Sequence, residues 1–394
     1  MSTLVVVGGS SPFTVELLHQ LALTELREQS FELRLQGRDN GALELIKRFA
    51  AATLPTWRIL ATPDLDKALE GADIVVHQAR YGGLKGRFQD ERLAARLNTL
   101  VDETLGPGGL QAALRIAQGV QSFSSTALRR CPDAWILNLV NPLGISTSLI
   151  AGTGLRLCLG LCELPTITHK HVADLLGINA CELSWDYVGL NHRGFLYNMK
   201  VGGVNVLPRL SQILLDRGAQ YGVWGIGAEL ISQLDAVPLK YFSMLNGQPI
   251  HAPGRAHTLK QIRERAFQEL HHKPAVYPPS IRTRSMPWYE HAVVPAIAAL
   301  LGHAPPLIST ANIGISNEIA EEKLVRLDQG NLTIKSTGHP SPLVAAWMDR
   351  FRRHEASVLV ATRCRTRDAV ITALELDPLL SSDQVQLAAN LLNF

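Results

Sequence analysis

The chain has 394 residues, of which 46% are hydrophobic and 19% are charged, so it can bury the cores of two globular domains. Its 38 basic and 35 acidic residues give a formal net charge of +3, which is too small to indicate nucleic acid as a partner. The N-terminus lacks the pattern of a secretion signal, and no apolar run is long enough to span a membrane. We therefore expect a cytoplasmic protein that does not bind membranes.

The first part of the chain predicts an α/β fold. A β-branched run at residues 4–7 leads through a glycine turn into a segment with helical periodicity at residues 14–23. Further strands are predicted at 31–35, 74–77 and 135–140, with a helix at 41–52. This alternation predicts a Rossmann-like, doubly wound parallel sheet, which we assign to an NAD(P)-binding domain of residues 1–154.

The pattern becomes mixed after residue 154, which predicts a second α+β domain over residues 155–394. A short strand is expected at 157–161, and turns within 183–206 indicate antiparallel strands. Loops at 247–254 and 273–287 are expected over a site or an interface. The predicted helices are 169–176, 211–216, 226–234, 259–270 and 289–301, followed by a mostly helical tail at 342–392.

The first glycine turn is a candidate phosphate site. Gly8, Gly9, Ser10 and Ser11 lie between the first strand and the first helix, where backbone amides and the helix N-terminus face the pyrophosphate in dinucleotide-binding domains. The segment GGSSPF departs from the usual GxGxxG, so a plain tight turn is the alternative.

The end of the second predicted strand bears on the choice between NAD and NADP. Many NAD-binding domains carry an acidic residue here that accepts from the ribose hydroxyls. With Gly37 in that place, Arg38 could pair with the 2′-phosphate of NADP. Alternatively, Asp39 or Gln36 serves the ribose of NAD after a shift in register.

Four polar clusters are expected at the ligand crevice, since in an open α/β sheet the crevice lies at the carboxyl ends of the strands. The clusters are Arg80 to Gly83 with Arg87, Asp90 and Glu91; Asp102 to Gly109; Asn141 to Gly144; and Gly160 to Pro165 with Gly189 to His192. Alternatively, Arg87 and the nearby Arg115 are solvated surface residues. No dense phosphate cradle of Ser, Thr and Arg is evident in the sequence.

Seven motifs occur in order along nearly the whole chain: GGSSPFTVEL, QARYGGLKGRFQDE, DETLGPGGL, CPDAWILNLVNPLG, LCELP, GLNHRGF and VPLKY. Together they resemble the motifs of glycoside hydrolase family 4. The resemblance implies a glycosidase that is redox-neutral overall and depends on NAD(P) and a divalent metal, usually Mn²⁺. Such enzymes oxidise the sugar at C3, remove the C2 proton, eliminate the glycosidic oxygen, add water and re-reduce the sugar. A homodimer or homotetramer is also implied.

The resemblance assigns roles to individual residues. Cys162 and His192 match the metal ligands, and a thiolate with an imidazole suits a transition metal. Tyr241 matches the base that removes the C2 proton, with its pKa expected to be lowered by the metal or by a cation such as Lys240 or Arg284. The residues matched to substrate or cofactor contacts are Arg80, Asn141, Asn191 and Arg284.

The departures from the family pattern leave the substrate open. Glu163 follows the cysteine where Asn or Asp is common, which makes its carboxyl a candidate general acid. The usual Arg-Gly-Gly turn is Arg284-Ser285-Met286 here, and Asn317-Glu318-Ile319 replaces another segment. Two other functions fit the same evidence: a dehydrogenase with net redox turnover on a hydroxy acid or sugar, and a nucleotide-binding protein without catalysis.

Overall fold

Residues 1–218, 221–250, 254–315 and 318–392 are described by a computed structural model, in which helices pack on both faces of one long sheet. No helix in these ranges is long and apolar enough to cross a bilayer. Residue Asn317, singled out above, and residues 251–253 of the predicted loop lie outside the described residues.

The strands are β1 Thr3–Val7, β2 Glu32–Gln36, β3 Arg58–Thr62, β4 Ile74–His77, β5 Trp135–Asn138, β6 Cys158–Gly160, β7 Leu183–Leu190, β8 Arg193–Val201, β9 Val204–Asn205, β10 Ala236–Pro238, β11 Leu307–Ile313, β12 Glu321–Asp328 and β13 Asn331–Ile334. The helices are α1 Thr14–Ala22, α2 Asn40–Thr53, α3 Leu65–Leu69, α4 Gly83–Arg96, α5 Gly106–Arg130, α6 Leu143–Ala151, α7 Leu164–Leu176, α8 Leu207–Arg217, α9 Ala228–Leu234, α10 Arg255–His272, α11 Pro279–Arg282, α12 Val294–Leu300, α13 Pro342–Cys364, α14 Arg367–Glu375 and α15 Ser382–Leu391.

The sheet combines a parallel and an antiparallel half. Its strand order is β10-β8-β7-β12-β11-β6-β5-β4-β1-β2-β3, with β13 paired to β12 and β9 paired to β8. Strands β1 to β6 are parallel to their neighbours within this group, and β6 joins the antiparallel strand β11. The α/β class with a parallel core and an α+β second part is confirmed, whereas the division at residue 154 stays a prediction.

Buried apolar strands place the core on both sides of the parallel half. Successive side chains of a strand point to opposite faces. On β1, Leu4 and Val6 therefore enter one apolar cluster, and Val5 and Val7 enter the other. Because helices cover both faces, the strand reads as a continuous apolar run.

The structure corrects several element predictions. Residues Arg87, Asp90 and Glu91 lie on α4 rather than in a loop, and Gly106 to Gly109 form the first turn of α5. At Gly109 a methyl group would come 2.5 Å from the carbonyl carbon of Thr104, so glycine permits this close approach of the backbone.

Candidate active site

A cleft of about 930 Å³ opens at the carboxyl ends of the parallel strands. It is bounded by residues that follow β1, β2, β4, β5 and β6, together with the β7–β8 turn and the segment after β10. Of the predicted site residues, Gly9 alone is missing from the described lining of this cleft. The residues that line it are Gly8, Ser10, Ser11, Arg38, Arg80, Asn141, Cys162, Glu163, Asn191, His192, Tyr241 and Arg284.

The backbone amides of the two glycines in the first turn are hydrogen-bonded within the protein, although they were expected to face a phosphate. The amides of Gly8 and Gly9 donate to the carbonyl oxygen of Gln36 at 3.0 and 2.7 Å, so neither is free to face a phosphate. Gly8 has φ +94°, and a methyl group there would come 3.0 Å from the backbone of Ala79. The polar groups that this turn offers to the cleft are therefore those of Ser10 and Ser11, at the start of α1.

At the ribose position, the carboxylate of Asp39 accepts from the amide of Ala42 at 3.0 Å and thereby caps α2. Gln36 donates its side-chain amide to the carbonyl of Pro63. The exposed Arg38 lies at the rim of the cleft. The first residue after β2 is thus Gly37, with no acidic side chain at this point.

The turn between β7 and β8 presents His192 to the cleft. His192 has φ +67°, a left-handed conformation that is uncommon for a residue with a side chain and that recurs at functional sites. Its Nδ1 lies 3.2 Å from Oγ1 of Thr104. Its ring stacks on that of Tyr241, with centroids 4.0 Å apart and planes 9° apart. The predicted metal ligand and the predicted base are therefore neighbours.

Tyr241 lies in a 3₁₀ turn, Lys240–Asn246, that follows β10. Burial raises the pKa of its phenol well above the ordinary value, and the nearby Asp102, Cys162 and Glu163 add to this increase. The pKa of Tyr241 is thus raised and not lowered as expected, and among the described residues it is Arg255, rather than Lys240 or Arg284, whose charge acts to lower it.

Cys162 follows β6 at the floor of the cleft and is buried. Its thiol lies 3.9 Å from Oε2 of Glu163 and donates to it. Burial raises the pKa of Cys162 well above the ordinary value, and the charges of Glu163 and Glu322 raise it further. Burial also raises the pKa of Glu163. A cation is therefore needed to hold the Cys162 thiolate in this environment.

The described residues do not form a complete cage for a metal. No group of three or more His, Cys, Asp or Glu side chains that could hold a metal ion occurs within them. Asn191 is fully buried next to His192, and both polar atoms of its amide lack a hydrogen-bond partner in the described part of the chain. An unsatisfied buried amide that borders a cleft indicates a ligand position.

Glu103, for which the sequence indicated no separate role within the Asp102 to Gly109 cluster, connects three of the polar clusters. Its carboxylate accepts from Nδ2 of Asn141 at 2.7 Å and from Nη1 of Arg80 at 3.4 Å, and it pairs with Arg87. It fixes the orientation of two predicted substrate contacts. The acidic run DET gave no sign of this, since the pairing depends on how α4 and α5 pack.

Arg87 and Arg115 are not solvated surface residues. Arg115 makes a bidentate ion pair with Asp90, at 2.7 and 2.5 Å, and Arg87 donates Nε to Glu91 at 3.0 Å. Glu91 also accepts from the amide of Ala256 at 2.9 Å. This network therefore ties α4 to the start of α10.

The guanidinium groups of Arg80, Arg255 and Arg284 line the cleft and give it a positively charged wall, here called the arginine wall. No phosphate cradle was evident from the sequence. Burial, together with the charges of Arg80 and Arg255, lowers the pKa of Arg284 to about 9. The Arg284 guanidinium lies over the ring of Phe13, 4.1 Å from its centroid. Its Nε is buried without a partner among the described residues. Arg255 was missed because it belongs to none of the recognised motifs.

Known glycosyl hydrolases are similar to this chain in sequence. Residues 3–178 match the model of the family described as "Family 4 glycosyl hydrolase". The chain is 26% identical to the "Probable 6-phospho-beta-glucosidase" of Bacillus subtilis (strain 168), covering 97% of this chain and 93% of the relative. It is 25% identical to the 6-phospho-beta-glucosidase of Escherichia coli (strain K12), covering 96% and 92%.

A solved structure has the same fold. The 6-phospho-beta glucosidase of Thermotoga maritima, determined with manganese, NAD+ and glucose-6-phosphate, superposes with a TM-score of 0.84. That comparison covers 100% of this chain and 97% of the other at 20% identity, so it bears on the fold alone. The matching motifs, the family model over residues 3–178 and the relatives aligned along almost the whole length all show similarity to the family 4 glycosyl hydrolases.

Proposed function

We propose that this enzyme hydrolyses a 6-phosphorylated glycoside with NAD and a divalent metal, Mn²⁺ or a similar ion. The observation that carries the proposal is that Cys162, His192 and Tyr241 line one cleft together with the glycine turn after β1. The names of the full-length relatives support the phosphorylated substrate.

The residues present fit both cofactors. Ser10, Ser11 and the start of α1 would hold the pyrophosphate of NAD, while Cys162 and His192 would hold the metal. The unsatisfied amide of Asn191 beside them supports a ligand at this point. Bound NAD supplies reversible oxidation of the sugar, and a bound divalent metal supplies Lewis-acid polarisation of its oxygens.

Two side chains of the chain itself would move protons. Tyr241 would accept the proton from C2 of the sugar as a phenolate; burial disfavours this ionised form, which the positive charges of Arg255 and of a bound metal would stabilise. Burial raises the pKa of Glu163, which favours the protonated carboxyl that a donor to the leaving oxygen requires. The two groups flank Cys162 and His192 in the same cleft.

The arginine wall would bind the phosphate of the substrate. Arg80, Arg255 and Arg284 repel one another and are partly desolvated, so a dianion between them relieves both penalties. The unpaired Nε of Arg284 offers a donor for it.

We also infer a cytoplasmic homodimer or homotetramer that acts on a small sugar. All five cysteines of the described chain are free thiols, as is common in reducing compartments. Light scattering of the purified chain gives its oligomeric state.

The test is hydrolysis of aryl α- and β-glycosides in unmodified, 6-phosphorylated and uronic forms, with NAD or NADP and Mn²⁺. We expect turnover of a 6-phosphorylated member with catalytic amounts of NAD, and loss of turnover after chelation of the metal. Stoichiometric NADH formation would replace the proposal with the dehydrogenase function. No turnover of any member, with NAD and Mn²⁺ bound, would favour the non-catalytic alternative.

A further inference from the structure

A chain of buried polar contacts joins the C-terminal helices to the turn that carries His192. Arg193, the next residue, donates Nη2 to Glu355 on α13 and places Nη1 3.4 Å from Nδ1 of His354. Nε2 of His354 lies 3.2 Å from Oδ2 of Asp377. Each of these side chains is no more than 2% exposed: those of Arg193, Glu355, His354 and Asp377.

Asp377 is also linked to His192 by a second route, through the segment from Gly106 back to Thr104. Its Oδ2 accepts from the amide of Gly106, the first residue of α5, at 2.7 Å. Two residues earlier, Oγ1 of Thr104 lies 3.2 Å from Nδ1 of His192. His192, Arg193, His354, Asp377 and the segment from Gly106 back to Thr104 therefore form a closed ring.

The ring restrains the orientation of the His192 imidazole. The contact with Thr104 engages Nδ1, and a hydrogen bond at one ring nitrogen sets the orientation in which a metal-ligating histidine presents the other. Turning the imidazole would require a shift of either the Thr104 segment or the β7–β8 turn. His354 and Asp377 restrain both.

Stability alone is a poor reason for such an arrangement. A buried ion pair usually stabilises a fold less than apolar side chains of the same volume would. On the same helix α13, the buried Met348, Phe351 and Val358 already anchor the helix through apolar contacts. The polar groups instead cluster on the side that reaches Arg193 and Gly106.

We propose that His354 and Asp377 are positioning residues that act through Arg193 and Gly106 to hold the imidazole of His192 in its metal-binding orientation. The inference rests on the proposed function, in which His192 binds the metal. Neither residue touches the cleft, since both are absent from its described lining.

The test is Mn²⁺ binding by the full chain, with NAD and glucose 6-phosphate present, followed by electron paramagnetic resonance of the free ion. We expect Asp377→Ala to weaken Mn²⁺ binding roughly 10- to 100-fold, as loss of an outer-shell partner does. Asp377→Asn, which keeps an acceptor for the amide of Gly106, should be intermediate. Val358→Ala, a truncation in the apolar packing of α13, is the control and should leave the Mn²⁺ affinity unchanged.

Each outcome is decisive. Asp377→Ala that binds Mn²⁺ as tightly as Val358→Ala would overturn the positioning role. If Asp377→Ala does not fold, wild-type affinity in Asp377→Asn and His354→Gln overturns it. Absence of saturable Mn²⁺ binding by the wild-type chain would overturn the proposed function itself, and the positioning role with it.

Discussion

Gly37 and Ser10 are packed so closely that a side chain at residue 37 has no room. A methyl group on Gly37 would come 2.4 Å from Oγ of Ser10 and 2.8 Å from its amide nitrogen. The serine therefore occupies the space in which other dinucleotide-binding domains place an acidic side chain. The sequence departs from the usual nucleotide-site pattern twice, in GGSSPF and at Gly37. The two departures depend on each other, because Ser10 fits only where residue 37 has no side chain.

Gly37→Ala should consequently weaken NAD binding. The added methyl group pushes the Ser10 turn into the cleft, and overpacking of this kind costs about 1–3 kcal/mol. Titration of NAD by fluorescence measures the change in dissociation constant. Gly41→Ala, where the nearest atom lies 3.5 Å from the new methyl group, is the matched control. Equal NAD affinity in the two variants would contradict the packing argument.

Tyr241→Phe should abolish proton removal while keeping the ring stacked on His192. Loss of a general base lowers the rate roughly 10²- to 10⁴-fold. The measurement is kcat together with exchange of the C2 hydrogen of the substrate with D₂O, both of which should fall. Tyr221→Phe, in an exposed position, serves as the control. Undiminished C2 exchange in Tyr241→Phe would assign the base to another residue.

Cys162→Ser should lower metal affinity and change metal preference. A hydroxyl is a harder and far less acidic ligand than a thiol, so soft transition metals lose most by the change. We expect Mn²⁺ affinity to fall at least roughly 10-fold, since even outer-shell changes have effects of this size. Calorimetric titration of Mn²⁺ measures it, with the exposed Cys181→Ser as the control. Unaltered binding would remove Cys162 from the ligand set.

Arg255→Gln should reduce affinity for phosphorylated glycosides selectively. A hydrogen bond to a charged group contributes about 1.5–3 kcal/mol, which corresponds to a rise in KM of roughly 10- to 100-fold. The KM of an unphosphorylated glycoside, where it is cleaved at all, should change little. Arg265→Gln on the exposed side of α10 is the control. An equal effect on both substrates would exclude Arg255 from phosphate recognition.

The parallel half of the fold could be predicted because its strands are buried on both faces. Strands β1, β4 and β5 are uniformly buried, and such strands appear in a sequence as short apolar runs between turns. Strand β12 was missed for the opposite reason. The sequence EEKLVRLD of β12 alternates buried and more exposed positions, and its charged residues hide the apolar ones.

The sequence motifs located the residues of the site but not the charged residues that interact with them. Cys162, His192 and Tyr241 stand in recognisable segments, and the cleft includes all three. Arg255, at the start of α10, acts on Tyr241, and Glu103 pairs with Arg87 on α4. Ion pairs of this kind follow from packing, which a linear pattern does not encode.

Glu321 and Glu322 are consecutive on β12 and should give opposite pH dependence of stability. Glu322 is fully buried, and burial raises its pKa from the ordinary 4.5 to about 8, with a contribution from the charge of Glu163. The hydrogen bond from the hydroxyl of Tyr187, at 2.5 Å, opposes this rise only in part. For Glu321, burial is outweighed by Lys323 and Arg352, and its pKa is lowered.

The sign for Glu322 follows from proton linkage. Between pH 4.5 and about 8 the folded chain holds a proton that the unfolded chain releases, so the free energy of unfolding falls as the pH rises. Glu321 stabilises the fold above its ordinary pKa, and that contribution is lost as the pH falls through its lowered value.

Glu322→Gln should therefore flatten the decline of stability between about pH 5 and pH 8, since the amide keeps an acceptor for Tyr187 and carries no charge. Glu321→Gln should leave the slope in that window unchanged and reduce stability throughout it. Urea unfolding of the metal-free chain across this range measures both. A wild-type slope in Glu322→Gln would show that its carboxyl stays ionised in the fold, and the buried Tyr187 contact would then have to stabilise the charge.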